Sequence, residues 1–183
     1  ESKQAELDKQ KEIIKEQGQL LKDQQEELDR IAGIRSDLVA ALRDEFADSS
    51  LNVKVDEKTG AITFDASVLF DVADSDLKEE GKTFLKEFLP KYCKVLLDEK
   101  YRDYVSEIII EGHTDTNGSY IYNLELSQHR AFSVAKYCLT ESNGIISSTD
   151  VELLRSVLTA NGKSYSNPVY KGEGAVDLEA SRR

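Results

Sequence analysis

The residues with the widest chemical reach are clustered. Glu111-Gly112-His113-Thr114-Asp115-Thr116-Asn117-Gly118 follows directly on Ile108-Ile109-Ile110, and Tyr122-Asn123-Leu124-Glu125-Leu126-Ser127-Gln128-His129-Arg130-Ala131 comes soon after. The isoleucine run reads as a buried strand, apolar on both faces. A polar turn at the end of such a strand lies at the rim of the sheet, where binding groups gather. Arg130 falls about two turns into a helix expected to begin near Asn123. A carboxylate therefore leaves the strand while a guanidinium rides on the neighbouring helix, and the two either pair with each other or face a common ligand. Metal-assisted hydrolysis would have to draw on His113, Asp115 and His129. The chain has only 2 histidines, and His129 immediately precedes Arg130, so those two side chains point to different sides. A hydrolytic zinc site needs three protein ligands held toward one point. No catalytic residue, metal ligand or cofactor is assigned, and His113 is expected to be structural, bonding the backbone of its own turn.

Several elements must position these groups. Asn52-Val53-Lys54-Val55 alternates, Asp56-Glu57-Lys58-Thr59-Gly60 supplies a turn, and Ala61-Ile62-Thr63-Phe64 completes a β-hairpin with Gly60 where positive φ is needed. Ser67-Val68-Leu69-Phe70 is a short apolar edge or strand. Ser75 offers an N-cap oxygen to the next helix, in which Leu77, Gly81, Phe84, Leu85, Phe88, Leu89, Tyr92, Val95 and Leu96 recur at three- and four-residue steps. Pro90 should kink or break it near Phe88–Leu89, since proline removes a donor and clashes one turn back. A second helix is expected over about Asn123 to Leu139, with Leu126, Ala131, Val134, Ala135 and Cys138 inward and Asn123 as its N-cap. Asp150 to Ser156 reads as a shorter helix, Val157-Leu158-Thr159-Ala160 as a strand, and Asn161 to Gly174 as loop. The order is hairpin, helix, strand, helix, helix, strand: an α+β sandwich, a mixed sheet with helices on one face.

Residues 1–47 differ from the rest. They are rich in Lys, Glu, Gln, Asp and Leu and contain no Pro, and Leu7, Ile14, Leu21 and Leu28 recur every seventh residue, the spacing of a coiled-coil seam. Gln10, Gln17 and Gln24 fill the second seam position until Ile31 and Leu38 take over. Either a dimeric coiled coil or a single amphipathic helix fits. From Gly33 a second stripe, Ile34, Leu38, Ala41, Leu42 and Phe46, either docks on the globular part or continues the helix. Asp48, Ser49 and Ser50 should end it. The expected organisation is a helical stalk, 1–47, and a globular domain, 48–183.

The net charge of −11 over 183 residues repels nucleic acid and anionic lipid surfaces. Cys93 and Cys138 are far apart, lack metal-ligand spacing and sit among apolar residues. They are expected to be small core residues, and whether they pair depends on the compartment. No stretch approaches the roughly 20 apolar residues of a membrane span. The first residue is Glu rather than Met, so the chain reads as a piece of a longer or processed protein.

The run GHTDTNGSYIYNLELSQHRAFSV resembles the signature of OmpA-like domains, GHTD…G…YN…LS..RA..V. VLFDVADSDLKEEGKTFL resembles the stretch that precedes it in the family, and NGKSYSNPV and SRR resemble its closing elements. The resemblance covers roughly residues 62–183 and implies a β-α-β-α-β sandwich. It also implies a ligand, the stem peptide of peptidoglycan, commonly gripped through diaminopimelate. Asp115 matches the residue expected to take the ligand ammonium and Arg130 the residue expected to take its carboxylate. Thr114 and Leu126 flank the same site, Asn123 lies beside it, and Phe70 and Asp71 stand where the family has a neighbouring wall. Where the family carries Asn, Ser181 precedes Arg182 and Arg183, and the family's earlier Arg is replaced near Asp177. A carboxylate and a guanidinium facing one pocket complement a zwitterion, and Arg supplies a planar fork. Such bonds contribute on the order of 1.5–3 kcal/mol each. Two of them with neutral support give binding of about −8 kcal/mol, which suits an anchor that works by avidity.

The layout of helix before domain resembles stator proteins of the MotB type and the stator-like subunits of phage-defence systems. The implied function is non-catalytic anchoring of an envelope or stator complex to the wall, from the extracytoplasmic side. The implied partners are peptidoglycan, a second copy of the chain, and a membrane channel or stator subunit reached through an upstream segment. The alternatives are an envelope anchor of the Pal or OmpA kind, or a coiled-coil scaffold whose pocket is unused.

Overall fold

The computed structural model describes residues 2–47, 49–142 and 144–183. They fall into two compact units, Glu1–Leu38 and Val39–Arg183. The first is part of one long helix, α1 (Ser2–Ala47), which passes Gly18 and Gly33 unbroken. Its surface is laced by pairs one turn apart, among them Arg30 with Glu27 at 2.6 Å and Gln19 with Asp23 at 2.8 Å, each a modest helix stabiliser. The expected seam is open to solvent: Leu7, Ile14, Leu21 and Leu28 are 46–68% exposed.

The second unit takes in the last turns of α1. There Leu42 and Phe46 are buried, Phe46 stacks on Phe88 at 5.1 Å, and Glu45 pairs with Lys94 at 2.7 Å. The second apolar stripe of α1 thus docks through Leu42 and Phe46. Asp48, one of the residues expected to end the helix, lies outside the described residues; Ser49 closes back on the Phe46 carbonyl through both its amide and its hydroxyl.

The hairpin forms as expected. β1 (Lys54–Val55) pairs antiparallel with β2 (Ile62–Thr63), and Gly60 takes φ +73°. Asp56 Oδ1 accepts from the Lys58 and Thr59 amides and so braces the turn. Phe64 then joins Phe84 and Phe88 in an aromatic cluster with centroid separations of 5.0–5.9 Å. Ser67-Val68-Leu69-Phe70 is not a strand: Ala66–Val68 is a 3-10 turn capped by the Asp65 side chain.

α2 (Glu79–Leu96) differs from expectation at two points. Its N-cap is Lys78 rather than Ser75, whose amide is instead held by Asp74 Oδ1 at 2.6 Å. The helix also runs through Pro90 without interruption. Phe88, Leu89, Cys93, Val95 and Leu96 are all buried around that residue, and this packing outweighs one lost backbone bond. Cys93 and Cys138 are both buried and free, as core residues should be, and burial pushes each thiol up to about 12.

β3 (Ile108–Gly112) and β4 (Leu158–Gly162) form a parallel ladder, Ile108 opposite Leu158 and Gly112 opposite Gly162. α3 (Tyr120–Lys136), a π turn over Tyr137–Glu141 and α4 (Ser148–Val157) make the crossover between them. Ser119 caps α3 and Ser147 caps α4, each accepting from a backbone amide three residues on. The α+β class and the element order hold. The strands form two separate two-stranded ladders, with the chain end between them: Ala66 N donates to the Arg182 carbonyl at 3.1 Å and His113 N to the Arg183 carbonyl at 2.7 Å. β3 is not apolar-buried on both faces, because Ile109 is 48% exposed. Its neighbours Ile108, Ile110 and Gly112 face α3, and the alternate residues face away from it. A short helix, α5 (Leu178–Ser181), which the sequence reading did not contain, follows Asp177.

Gly112 and Gly162 let α3 lie directly on this ladder. A methyl group on Gly162 would sit 2.5 Å from the Gln128 amide nitrogen and 2.7 Å from its Cα, and one on Gly112 would collide with the Ser127 carbonyl. Gly162→Ala is expected to push α3 off the sheet and destabilise the domain by roughly 1–3 kcal/mol, with Tm lower by several degrees. A thermal melt of the variant that superimposes on the parent's would show that the helix can retreat at no cost.

Candidate functional site

Asp115 emerges from the end of β3 on a short ladder extension. Lys163 N donates to the Gly112 carbonyl at 2.9 Å and Thr114 N to the Ser164 carbonyl at 2.9 Å. The polar turn is therefore pinned to the segment after β4. Asp115 Oδ1 accepts from the Asn117 amide at 2.8 Å, which fixes the carboxylate over its own turn. Its other oxygen lies 3.6 Å from Arg182 Nε, and the Asp115 side chain is only 13% exposed.

Arg130 approaches from α3. Asn123, Ser127 and Arg130 recur at four and three residues on one helix face and are all buried. Ser127 Oγ accepts from the Ser164 amide at 3.0 Å, so the helix, the strand exit and the following loop form one unit. The guanidinium is held from three sides. Nε donates to the Asp74 carbonyl at 2.7 Å, Nη2 donates to the Asp71 carbonyl at 3.0 Å, and the Phe70 ring lies beneath it at 5.1 Å. Burial pulls its pKa below the usual guanidinium value; Tyr122, Asp74 and Asp115 oppose that shift, while Arg182 adds to it. The charge persists, since an arginine stays protonated under ordinary conditions. Arg130 thus does not pair with Asp115. It is spent in part on loop carbonyls, and Arg182 is the cation that reaches the carboxylate.

The expected site residues divide into groups. Asp115, Arg130, Thr114 and Phe70 are brought together, and all but Asp115, which is largely covered, are buried. Thr114 Oγ1 is buried with no hydrogen-bond partner among the described residues. Asp71 takes part through its backbone carbonyl, while its side chain is exposed. Asn123 is not the N-cap of α3 but lies inside it, where Nδ2 donates to the Asn117 carbonyl at 2.7 Å and holds the polar turn closed. Leu126 is half-buried one turn before Arg130 on the same helix. His113 bonds the Glu111 side chain, Nε2 to Oε2 at 3.3 Å, rather than the backbone of its own turn, and its Nδ1 is buried with no hydrogen-bond partner among the described residues. His129 is exposed, and no group of three metal-ligating side chains occurs among the described residues. Arg182, which the altered closing motif speaks against as a pocket support, reaches Asp115 nonetheless, and Tyr122, present in the sequence only as a letter of the YN pair, acts electrostatically on Arg130.

The model of the OmpA family matches residues 69–179. The Zorya protein ZorB from Escherichia coli is 32% identical over 141 residues, which is 72% of this chain and 58% of that protein. An outer membrane protein A from Shimwellia blattae is 35% identical over 112 residues, 61% of this chain and 40% of that protein. The chain thus spans about half the length of the curated relatives it matches. Among solved structures, the cell wall anchor of the T6SS from Pseudomonas aeruginosa aligns with a TM-score of 0.50 at 22% identity, covering 81% of this chain and 93% of that one. A MotB-like protein from Desulfovibrio vulgaris aligns with a TM-score of 0.50 at 21% identity, covering 87% and 91%. At these identities the structures speak for the fold.

His113 provides a test of the buried corner behind Asp115. Burial lowers its pKa, Arg183 adds to the effect, and Glu111 opposes it. The unfolded chain takes up that proton near pH ~6.5, above the folded value. Between the two values the unfolded state binds more protons, so stability falls as pH drops through that window. Urea unfolding of the parent between neutral and mildly acidic pH should show this loss, and His113→Gln should flatten the slope. An equal slope in the variant would place the proton uptake on other groups.

Proposed function

Since the chain belongs to the OmpA family, we propose that Asp115, Arg130 and Arg182 receive the zwitterionic end of a diaminopimelate-type stem peptide and so anchor the protein to peptidoglycan without catalysis. The observation that carries this reading is the juxtaposition of a largely covered carboxylate with two guanidinium groups that do not all neutralise it. Asp115 is in ion-pair range of Arg182 and acts electrostatically on Arg130. An incoming ammonium meets Asp115. An incoming carboxylate meets the Arg130 edge: of the five N–H donors of a guanidinium, two are occupied by the Asp71 and Asp74 carbonyls. Thr114, buried with its hydroxyl unpartnered among the described residues, lies directly behind Asp115 in the same turn. Phe70, Asn123 and the Asp71 carbonyl hold these groups in place, and Leu126 lines the helix side.

The same reading places the domain on the wall side of the cell envelope. No helix among the described residues is long and apolar enough to cross a membrane, so the link to a channel or stator subunit would be made by sequence outside these residues. The open seam of α1 supports pairing with a second copy. Four large apolar residues at heptad spacing are exposed on a charge-rich helix, as are Ile13, Leu20 and Ile31, and burying such a seam against an identical one is the way a coiled coil recovers its stability. Dimerisation would also double the grip on a repetitive wall.

Co-sedimentation with purified sacculi tests the pocket. Asp115→Asn and Arg130→Lys should each weaken binding by about tenfold or more, and Arg182→Ala by less, with circular dichroism unchanged. Arg130→Lys is preferred to alanine because it keeps a cation beside the 70–74 loop. Undiminished sedimentation of the Asp115 and Arg130 variants would dismiss the pocket. For the helix, sedimentation equilibrium should report a dimer for the parent chain and a monomer for the Leu21→Asp, Leu28→Asp double variant. A monomeric parent would remove the coiled-coil reading.

A further inference from the structure

Beside the Asp115 turn stands a pair of tyrosines that neither the core nor the pocket uses. Tyr120 and Tyr165 meet edge to face, with centroids 5.3 Å apart and planes at 89°. Tyr120 is 42% exposed and Tyr165 is part-exposed. Neither phenol has a hydrogen-bond partner among the described residues, whereas that of Tyr137 donates to the Lys82 carbonyl. The backbone beneath them is rigid. Ser164 is fully buried, its hydroxyl donates to the Tyr120 carbonyl at 3.0 Å, its amide donates to Ser127 Oγ at 3.0 Å, and its carbonyl accepts from the Thr114 amide. One residue, Ser164, therefore connects the turn that carries Asp115, the helix that carries Arg130, and both tyrosines. Tyr165 follows Ser164 as Asp115 follows Thr114, so the aromatic pair lies next to the pocket and is fixed relative to it.

We propose that Tyr120 and Tyr165 form a shelf for a pyranose ring of the glycan strand, a second subsite beside the stem-peptide pocket. The proposal rests on the peptidoglycan reading for the identity of the strand. The chemistry follows from the side chains. An aromatic face carries negative quadrupolar density and accepts the polarised C–H groups on the apolar face of a sugar. A free phenol can both donate to and accept from ring hydroxyls. A pair set at right angles offers one open face and one edge, and its two-torsion side chains lose little freedom on binding. A stem peptide is a long enough tether: each extended residue adds up to ~3.4 Å, so a sugar at the root of a stem peptide seated on Asp115 can extend to the neighbouring loop.

The test compares three probes: intact sacculi, a soluble stem tripeptide containing diaminopimelate, and soluble amino-sugar oligomers without peptide. Tyr120→Ala and Tyr165→Ala should each weaken binding to sacculi by about tenfold, the loss expected of one stacking contact. Both should bind the tripeptide as the parent does. Tyr165→Trp, which keeps a ring, should retain binding to sacculi, and this separates stacking from a fold defect in the alanine variants. The parent should bind the amino-sugar oligomers weakly and the double alanine variant not at all. Alanine variants that sediment with sacculi as the parent does, or a parent blind to the oligomers, overturn the shelf. A parent that binds oligomers and sacculi but not the tripeptide leaves the shelf standing and discards the Asp115 pocket instead.

Discussion

A guanidinium buried among packed side chains is the constraint from which the site's architecture follows. Removing such a charge from water is costly unless its donors are satisfied. Arg130 meets that demand with two backbone carbonyls and an aromatic face. Those partners all belong to Phe70–Asp74, so the loop must wrap the end of the side chain. The wrapping is tight enough that Ala73 takes φ +59°, a conformation uncommon outside glycine and asparagine. Asp74 stabilises the same bend by accepting the Ser75 and Asp76 amides, which hold its carboxyl below the usual range. The loop that could pass for an acidic surface feature is thus the clamp of a cation.

The helix that carries this cation has to lie close to the sheet for Asp115 to act on it. Two opposed glycines, Gly112 and Gly162, remove the side chains that would hold α3 away. Gln128 then uses both ends of its amide on β4, accepting from Gly162 N and donating to the Ala160 carbonyl. Ser127 and Ser164 complete the contact. The opposition of charge across the site is therefore a consequence of backbone proximity. The chain end adds the last element: the Arg182 and Arg183 carbonyls accept from Ala66 and His113, and the Arg182 side chain is left facing Asp115. In a protein with net charge −11, this corner brings two guanidinium groups together, Arg182 in ion-pair range of Asp115 and Arg130 under the influence of both Asp74 and Asp115.

Much of this was legible before any coordinates. A β-branched triplet followed by GHTD locates a strand and its polar exit, because both the burial pattern and the turn chemistry are local. The three- and four-residue apolar rhythm locates α2 and α3, and the DEKTG turn locates the hairpin. The heptad of Leu7, Ile14, Leu21 and Leu28 marks a long helix in which isolated glycines, Gly18 and Gly33, are tolerated. What failed was also local in cause. Ser75 and Asn123 look like caps, yet Ser119 caps α3 and Lys78 begins α2, since several capping residues stand within a few positions of each helix start and packing selects among them. Pro90 reads as a kink or break, but the helix continues past it with buried neighbours on both sides. Ile109 reads as buried, and only the placement of α3 on one face leaves it open.

Residue type and spacing by themselves determined the class of fold, the strand-to-helix order and the presence of opposite charges on adjacent elements, since these depend on periodicities of two and 3.6 residues and on side-chain chemistry. Tertiary structure alone decided how those charges are used. Arg130 is held by main-chain carbonyls, which every residue possesses and no sequence pattern advertises. Arg182 reaches Asp115 across 67 positions because the chain end threads between two ladders. Such partnerships arise from chain paths brought together in space, and spacing along the sequence holds no record of them.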